Sequence, residues 1–327
     1  MTIHIATSDE LGRLVRRALR EPVLFISDNL LVGPSRADAR AHVETRPIYW
    51  ALKGREQAHF LRTSNAIVSA LESRERVVIW TRSDWHNMIT TWAFCAWSMQ
   101  VENNPPHVEL IHVDAPGSKN EHAAVGQVCA STPVDIRKAR TSARPLSTTR
   151  IGTLARSWRR FTASTPILGR RGRQLSEPLI GIGIYQALFF PRLTSEKVKL
   201  SLFDELLFNC VRRGSVSALD VFMSQGPAGV QLREWVQLTG DVFLARRLDR
   251  WAQCGALVAE PYQPDNVMKM ARYKLSDMGV ALLQRGLSKW GGASLWVGGA
   301  EAYRSSRQWV VIPSSNGELP QLVLANG

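Results

Sequence analysis

The first 117 residues alternate short strand-like runs with amphipathic helical periods, and no other feature of the chain limits the fold as much. Thr2 to Ala6 reads as a strand. Thr7-Ser8-Asp9 then opens a helix whose Leu11, Leu14, Val15, Ala18 and Leu19 recur at i, i+3, i+4, i+7 and i+8. Val23 to Ser27 is a second strand, and a longer helical region containing Trp50 and His59 follows it. Arg76 to Trp80 is a third strand, running through Thr81-Arg82-Ser83-Asp84 into a helix striped by Trp85, Met88, Ile89, Trp92, Ala96 and Met99. Val108 to Val113 is a fourth, closed by Asp114-Ala115-Pro116-Gly117. Apolar strands joined through helices by short loops predict a small Rossmann-like α/β unit, its mostly parallel sheet covered on both faces.

Such sheets bind ligands outside the carboxyl ends of their strands, where the strand order reverses. Thr7 and Ser8 end the first strand, Asp28, Asn29 and Gly33 follow the second, and Arg82, Ser83 and Asp84 end the third. These groups are the expected ligand site. No Gly-x-Gly-x-x-Gly follows the first strand, and the chain has no Gly-x-x-x-x-Gly-Lys-Ser/Thr. A nucleotide or phosphate would therefore be held by hydroxyls, helix N-termini and Arg82.

Gln231 to Arg285 carries the second pattern. Gln231 to Leu238 is a short helical run, Thr239-Gly240 breaks it, and the Asp241 carboxylate is placed to cap the next helix. There Leu244, Leu248 and Trp251 face a core while Arg246, Arg250 and Gln253 line a polar face. Gly255 takes the left-handed position at its end. Ala256 to Tyr262 and Val267 to Leu275 read as strands around Pro264-Asp265-Asn266, with Lys269 and Arg272 near the turn, and Ser276 caps a helix ending at Gly286. Helices over Leu200 to Val211 and Ser217 to Ser224 precede this run. The order predicts a winged helix, which resembles the DNA-binding half of many bacterial regulators. Asp249 among the arginines weakens its pull on phosphate. The expected layout is a Rossmann-like domain over 1–117, an arginine-rich linker and helical connector over 118–195, a winged helix over 196–286 and a glycine-rich strand tail over 287–327.

A net charge of +13 and a pI near 10.2 point to a polyanionic partner, above all nucleic acid. The charge is concentrated. Between Asp135 and Glu177 lie Arg137, Lys138, Arg140, Arg144, Arg150, Arg156, Arg159, Arg160, Arg170, Arg171 and Arg173, and no acid. Pro133, Pro145 and many hydroxyl residues make the first part read as a linker, and Ile151 to Thr162 as a helix with Leu154, Trp158 and Phe161 on one side. Arginines with interleaved aromatics favour phosphate contact plus base stacking; the competing reading is a solubilising linker whose aromatics are core.

The longest apolar candidate, Trp85 to Met99, is too short to cross a bilayer. Together with a start that lacks a signal-peptide pattern, this makes the expectation cytoplasmic, with no membrane partner. Cys95, Cys129, Cys210 and Cys254 are isolated and the seven histidines are scattered, so no metal site is expected and no cofactor is indicated. Gly181-Ile182-Gly183-Ile184 lies in an apolar segment and reads as close helix packing.

Several of these stretches carry a family likeness. Ile3-His4-Ile5, Asp28-x-Leu30-x-x-Gly33-Pro34 and Val77-Val78-Ile79-Trp80 resemble the bacterial domain of unknown function numbered 1835. Ala155-x-Ser157-Trp158-Arg159-Arg160-Phe161, Phe190-Pro191-Arg192-Leu193 and Gly240-Asp241-x-Phe243-x-x-Arg246-Arg247-Leu248 resemble its usual partner region, the domain of unknown function 3658. The departure is Thr81-Arg82, where the family more often has a glycine soon after the tryptophan. The likeness implies the layout and a bacterial, cytoplasmic setting; it supplies no reaction.

The first functional reading is a regulatory protein that binds DNA or RNA through Arg156, Arg159, Arg160, Arg170, Arg171 and Arg173 of the connector and Arg246, Arg250, Lys269 and Arg272 of the winged helix. The alternatives are an enzyme acting on a nucleotide or nucleic acid, with Asp28, Asp84 and Ser83 as catalytic candidates, and a scaffold that docks protein through its tryptophans. A second copy of the chain or another protein remains an open partner.

Overall fold

The structure is a computed structural model that describes residues 2–73, 75–100, 107–113, 132–169, 175–194, 197–260, 271–287, 293–303, 307–313 and 318–326. It is mixed α/β with a mostly parallel sheet, and the chain divides into two units, Met1–Ala163 and Ser164–Gly327.

In the first unit the elements run β1 (Thr2–Ala6), α1 (Asp9–Leu19), β2 (Val23–Phe25), β3 (Gly33–Pro34), α2 (Ala39–Tyr49), α3 (Gly54–Glu72), β4 (Arg76–Thr81), α4 (Trp85–Ser98), β5 (Val108–His112), α5 (Pro133–Arg140), β6 (Arg144–Pro145) and α6 (Thr148–Phe161). The sheet order is β2-β1-β4-β5-β6, the first four strands parallel and β6 antiparallel against Glu109 and Leu110. Val77 and Ile79 point to one face and Val78 and Trp80 to the other, and all four are buried, so both faces are covered. Leu11, Val15 and Ala18 of α1 and Ile136 of α5 form one apolar layer with Val78 and Trp80. On the other side α4 packs against α3 and α6. The expected linker around Pro133 and Pro145 is instead ordered structure. Pro133 starts α5, where a missing N–H breaks no helical bond, and Thr132 with Asp135 closes a capping box.

The second unit runs through a 3-10 turn (Ile167–Gly169), α7 (Glu177–Ala187), β7 (Arg192–Thr194), β8 (Lys197–Lys199), α8 (Leu202–Val211), α9 (Ala218–Phe222), α10 (Pro227–Thr239), α11 (Asp241–Gln253), β9 (Leu257–Glu260), β10 (Arg272–Leu275), α12 (Asp277–Arg285), β11 (Leu295–Gly298), β12 (Ala300–Ala302), β13 (Arg307–Ile312) and β14 (Gln321–Asn326). A four-stranded sheet has the order β14-β13-β7-β8, while β9 and β10 form an antiparallel pair. In the glycine-rich tail the expected strand over Gln308 to Ile312 is β13, which sits between β14 and β7 and completes the sheet. Leu244, Leu248 and Trp251 are fully buried, as their spacing predicts. Gly240, with φ 84°, holds the N-cap position of α11, and Asp241 is the first residue of the helix. A Cβ on Gly183 would meet Leu168 at 2.6 Å, so this glycine of α7 serves close packing. The expected turn Pro264-Asp265-Asn266 lies outside the described residues.

Close approach also explains Gly12, where an added Cβ would lie 2.6 Å from Phe25 Cβ across the α1–β2 contact. Gly→Ala ordinarily gains about 1 kcal/mol of helix propensity, while overpacking of this kind costs about 1–3 kcal/mol. We expect Gly12→Ala to lower stability in urea unfolding; equal or greater stability would show that α1 can slide off β2.

Candidate functional site

Asp28 leaves the carboxyl end of β2 and meets Arg46, which Asp38 helps to place by capping α2 through Ala41 N at 2.7 Å. Both ions are buried. Arg46 Nε donates to Asp28 Oδ2 at 2.6 Å, Nη2 to Asp28 Oδ1 and to Asn29 O, and Nη1 to Val32 O at 2.6 Å. Trp50 Nε1, one turn on, donates to Asp28 Oδ1 at 3.0 Å. Burial opposes ionisation of Asp28 most strongly, yet the Arg46 charge and hydrogen bonds together with His42 outweigh it and hold the carboxyl well below the usual range. Gly33 has φ 84°, and a Cβ there would sit 2.3 Å from Arg46 Nη1. Asn29 Oδ1 accepts from Leu31 N at 3.0 Å. The geometry therefore corrects the expectation for Asp28, Asn29 and Gly33. Both oxygens of Asp28 are engaged and its pKa is too low for acid–base work, so these residues build a clamp on the 28–34 loop.

Beside the clamp lies the point where strand order reverses, between β1 and β4. Because Ala6 pairs with Trp80 in parallel, Thr7 and Ser8 emerge next to Thr81 and Arg82. Thr7 Oγ1 donates to Trp80 O at 3.1 Å and to Asn87 Oδ1, and Ser8 caps α1. Asp84 caps α4 through Asn87 N at 3.0 Å and also accepts from Asn87 Nδ2, so it is a helix cap rather than a free carboxylate. Ser83 is half-buried. Arg82 is 8% exposed and Nη1 donates to Glu10 Oε1 at 3.1 Å, whereas its Nε and Nη2 have no partner among the described residues. His86 Nδ1 is likewise buried and unpartnered. Burial lowers the His86 pKa, partly offset by the Asp84 and Asp28 charges.

The third feature is cationic. Arg137, Arg144, Arg150, Arg156 and Arg159 are exposed and Arg160 is half-exposed on α5, β6 and α6. Among the described residues none of the six forms a salt bridge; Arg156 donates only to the Thr153 hydroxyl, at 2.9 Å. Trp158 and Phe161 are fully buried, which removes them as stacking platforms. They lie in the core because α6 turns that face onto α4, where Trp158 stands 6.1 Å from Trp97 and beside His42. Arg170, Arg171, Arg173 and Lys269 lie outside the described residues.

In the second unit the expected contacts are already engaged. Arg246 Nη1 lies 3.8 Å from Asp249 Oδ2, Arg250 Nη1 donates to Ser294 O at 2.8 Å, and Arg272 bonds Ser215 and pairs with Asp220 at 3.1 Å. Sequence reasoning missed a second clamp here. Arg247 Nε and Nη2 grip the buried Asp204 at 2.7 Å each, Nη1 donates to Ala293 O, and Trp251 Nε1 and Tyr303 Oη donate to the same carboxylate. Its signal was the repeated Arg-x-x-x-Trp of Arg46…Trp50 and Arg247…Trp251, which sets both donors on one helix face.

Among the described residues no cluster of three or more His, Cys, Asp or Glu could hold a metal, and no helix is long and apolar enough to cross a membrane. No family model, no curated protein and no solved structure matches the chain.

The buried ions make the fold sensitive to substitution and to acid. Asp28→Asn leaves the Arg46 charge buried without its carboxylate and is expected to cost about 3–5 kcal/mol in urea unfolding; wild-type stability would mean that the clamp carries no energy. Acid should also weaken the fold. His4, His42 and His86 all have pKa values lowered by burial, and Nδ1 of His4 and of His42 already accepts a bond, from Trp80 Nε1 and Arg36 N. On acidification the unfolded chain takes up these protons first. Their contribution is thus complete above about pH 6.5 and is lost as pH falls toward the folded-state values, by up to about 1.4 kcal/mol per histidine per pH unit. Urea midpoints that stay flat between neutral pH and about pH 5 would contradict this.

Proposed function

We propose that this protein binds nucleic acid through the cationic surface of α5, β6 and α6, as a regulatory protein of the bacterial cytoplasm. The observation that carries the reading is the set of exposed arginines, Arg137, Arg144, Arg150, Arg156 and Arg159, that no acid of the described residues neutralises. Like charges on ordered elements repel one another, and a phosphate backbone offsets that repulsion while releasing its counterions. Fixed helices make the array a surface of set spacing rather than a loose tail.

The proposal includes a winged helix in the second unit. What supports it is the order α8, α9, α10, α11, β9, β10, together with Val216, which exchanges two backbone bonds with Tyr273 at 2.9 and 2.8 Å and so adds a third strand position beside β10. Because Arg246, Arg250 and Arg272 have intramolecular partners, we assign the main phosphate contacts to Arg156, Arg159 and Arg160. Membership of the two families of unknown function is part of the proposal. Its support is that the Asp28-to-Pro34 and Gly240-to-Leu248 motifs contain residues of the two clamps. An anionic ligand at the β1–β4 edge completes it.

The enzyme reading loses ground with Asp28 sequestered by Arg46 and Asp84 committed as a cap. The docking reading loses ground because Trp50, Trp80, Trp92, Trp97, Trp158 and Trp251 are buried.

The test is the salt dependence of binding to duplex DNA and to single-stranded RNA. The log–log slope should be about −0.9 per duplex phosphate or −0.7 per single-strand phosphate neutralised. Replacing Arg156, Arg159 and Arg160 together by Ala should reduce it by about one such increment for each phosphate no longer neutralised, with the thermal midpoint nearly unchanged because the side chains lie off the core. Absence of binding at low salt would end the reading; an unaltered slope would move the binding surface away from α6.

A further inference from the structure

We infer that the carboxyl edge between β1 and β4 takes a small anion presenting two oxygens that share one negative charge, a carboxylate or a phosphodiester, on the Nε/Nη2 side of Arg82. The inference rests on reading that edge as a ligand site and does not depend on nucleic-acid binding.

The chain itself shows what this side of a guanidinium does. Arg46 holds Asp28 with Nε and Nη2, Arg247 holds Asp204 with the same two atoms at 2.7 Å each, and Arg76 holds Glu109 with them at 2.9 and 2.6 Å. In each case two parallel N–H bonds meet two oxygens of one group. Arg82 is built differently. Its Nη1 is used by Glu10, and the Nε and Nη2 pair is buried without a partner among the described residues. A guanidinium stays charged at any relevant pH, so burial cannot silence these donors by deprotonation. They also sit where open α/β sheets bind ligands, directly after β4 at the reversal of strand order and against the start of α1.

The surroundings narrow the ligand. Asp9 and Glu10 begin α1 and Asp84 caps α4, so a dianion would face three carboxylates around one arginine. A single charge spread over two oxygens avoids most of that repulsion and still matches the fork. Asp9 Oδ1 and His86 Nδ1, also buried and without a partner among the described residues at the same two helix starts, suit a hydroxyl or amine on the same molecule. The Glu10 side chain, 66% exposed, holds Nη1 on the adjacent edge of the guanidinium, so its negative charge opposes an entering anion without occupying the Nε/Nη2 side.

The experiment titrates the full chain with lactate, with 3′,5′-cyclic AMP and, in mildly alkaline buffer, with inorganic phosphate. The readouts are the thermal midpoint and the NMR signal of the Arg82 Nε–H, assigned by its disappearance in Arg82→Lys. Lactate or cyclic AMP should shift both saturably, and the dianionic phosphate should bind at least about tenfold more weakly. Response to lactate alone identifies a carboxylate, and response to cyclic AMP alone a phosphodiester. Arg82→Lys keeps the charge but loses the fork and should weaken binding at least about tenfold. Glu10→Gln, an exposed change, should tighten it about threefold. If neither lactate nor cyclic AMP binds saturably up to tens of millimolar, or if Arg82→Lys binds as wild type, the inference is overturned. Should Arg82→Lys fail to fold, unchanged affinity in Glu10→Gln overturns it instead. The salt slope on nucleic acid stays the same in either variant, so the two readings fail separately.

Discussion

Each unit of this protein is tied by one buried arginine gripping one buried aspartate, Arg46 on Asp28 and Arg247 on Asp204. Removing two charges from water is costly, and a buried pair can do no better than an apolar replacement. Its effect is geometric. After binding the carboxylate, Arg46 spends its remaining donors on the carbonyls of Asn29 and Val32, and Arg247 spends one on Ala293. A loop that would otherwise leave its carbonyls unsatisfied is thereby held to a helix, and the indole one turn on in that helix closes the same carboxylate. Tyr303 joins the second clamp from the carboxy-terminal segment, which draws that segment into the second unit.

The clamps divide the charge of the chain into two populations. Interior ions are matched with carboxylates and carbonyls, and their partners hold the Asp28 and Asp204 pKa values low against the resistance of burial. Arg137, Arg144, Arg150, Arg156 and Arg159 of α5, β6 and α6 are exposed and have no acid partner among the described residues, whereas Arg140 pairs with Glu21 at 2.8 Å. Excess charge therefore resides on the surface of regular elements, where an external anion can reach it, and the interior contributes none. Arg82 stands between the two populations: it is buried like a clamp, yet among the described residues its one charged partner is an exposed glutamate.

Much of the fold was legible because periodicity reports which face of an element is buried. The four parallel strands, α1, α4, α6 and α11 follow from apolar spacing, as do the buried Leu244, Leu248 and Trp251. The same reasoning failed at Pro133, where proline suggested a linker but begins a helix. It also misjudged Asp28. A carboxylate after a buried strand at the ligand-binding edge of a sheet resembles a site residue until its partner is known, and Arg46 lies in a different element, 18 positions away.

Local pattern thus determined many of the elements, the two-faced burial of the first sheet and the concentration of positive charge between Asp135 and Glu177, because each depends only on residues near in the chain. Tertiary structure decided which charged groups are spent and which remain. It put Asp28 inside a clamp, made Asp84 a cap, turned Trp158 and Phe161 into core, and left the two donors of Arg82 without a partner among the described residues. The reason is that satisfaction of a buried polar group is settled by whatever neighbours folding brings within about 3 Å, and those neighbours come from anywhere in the sequence.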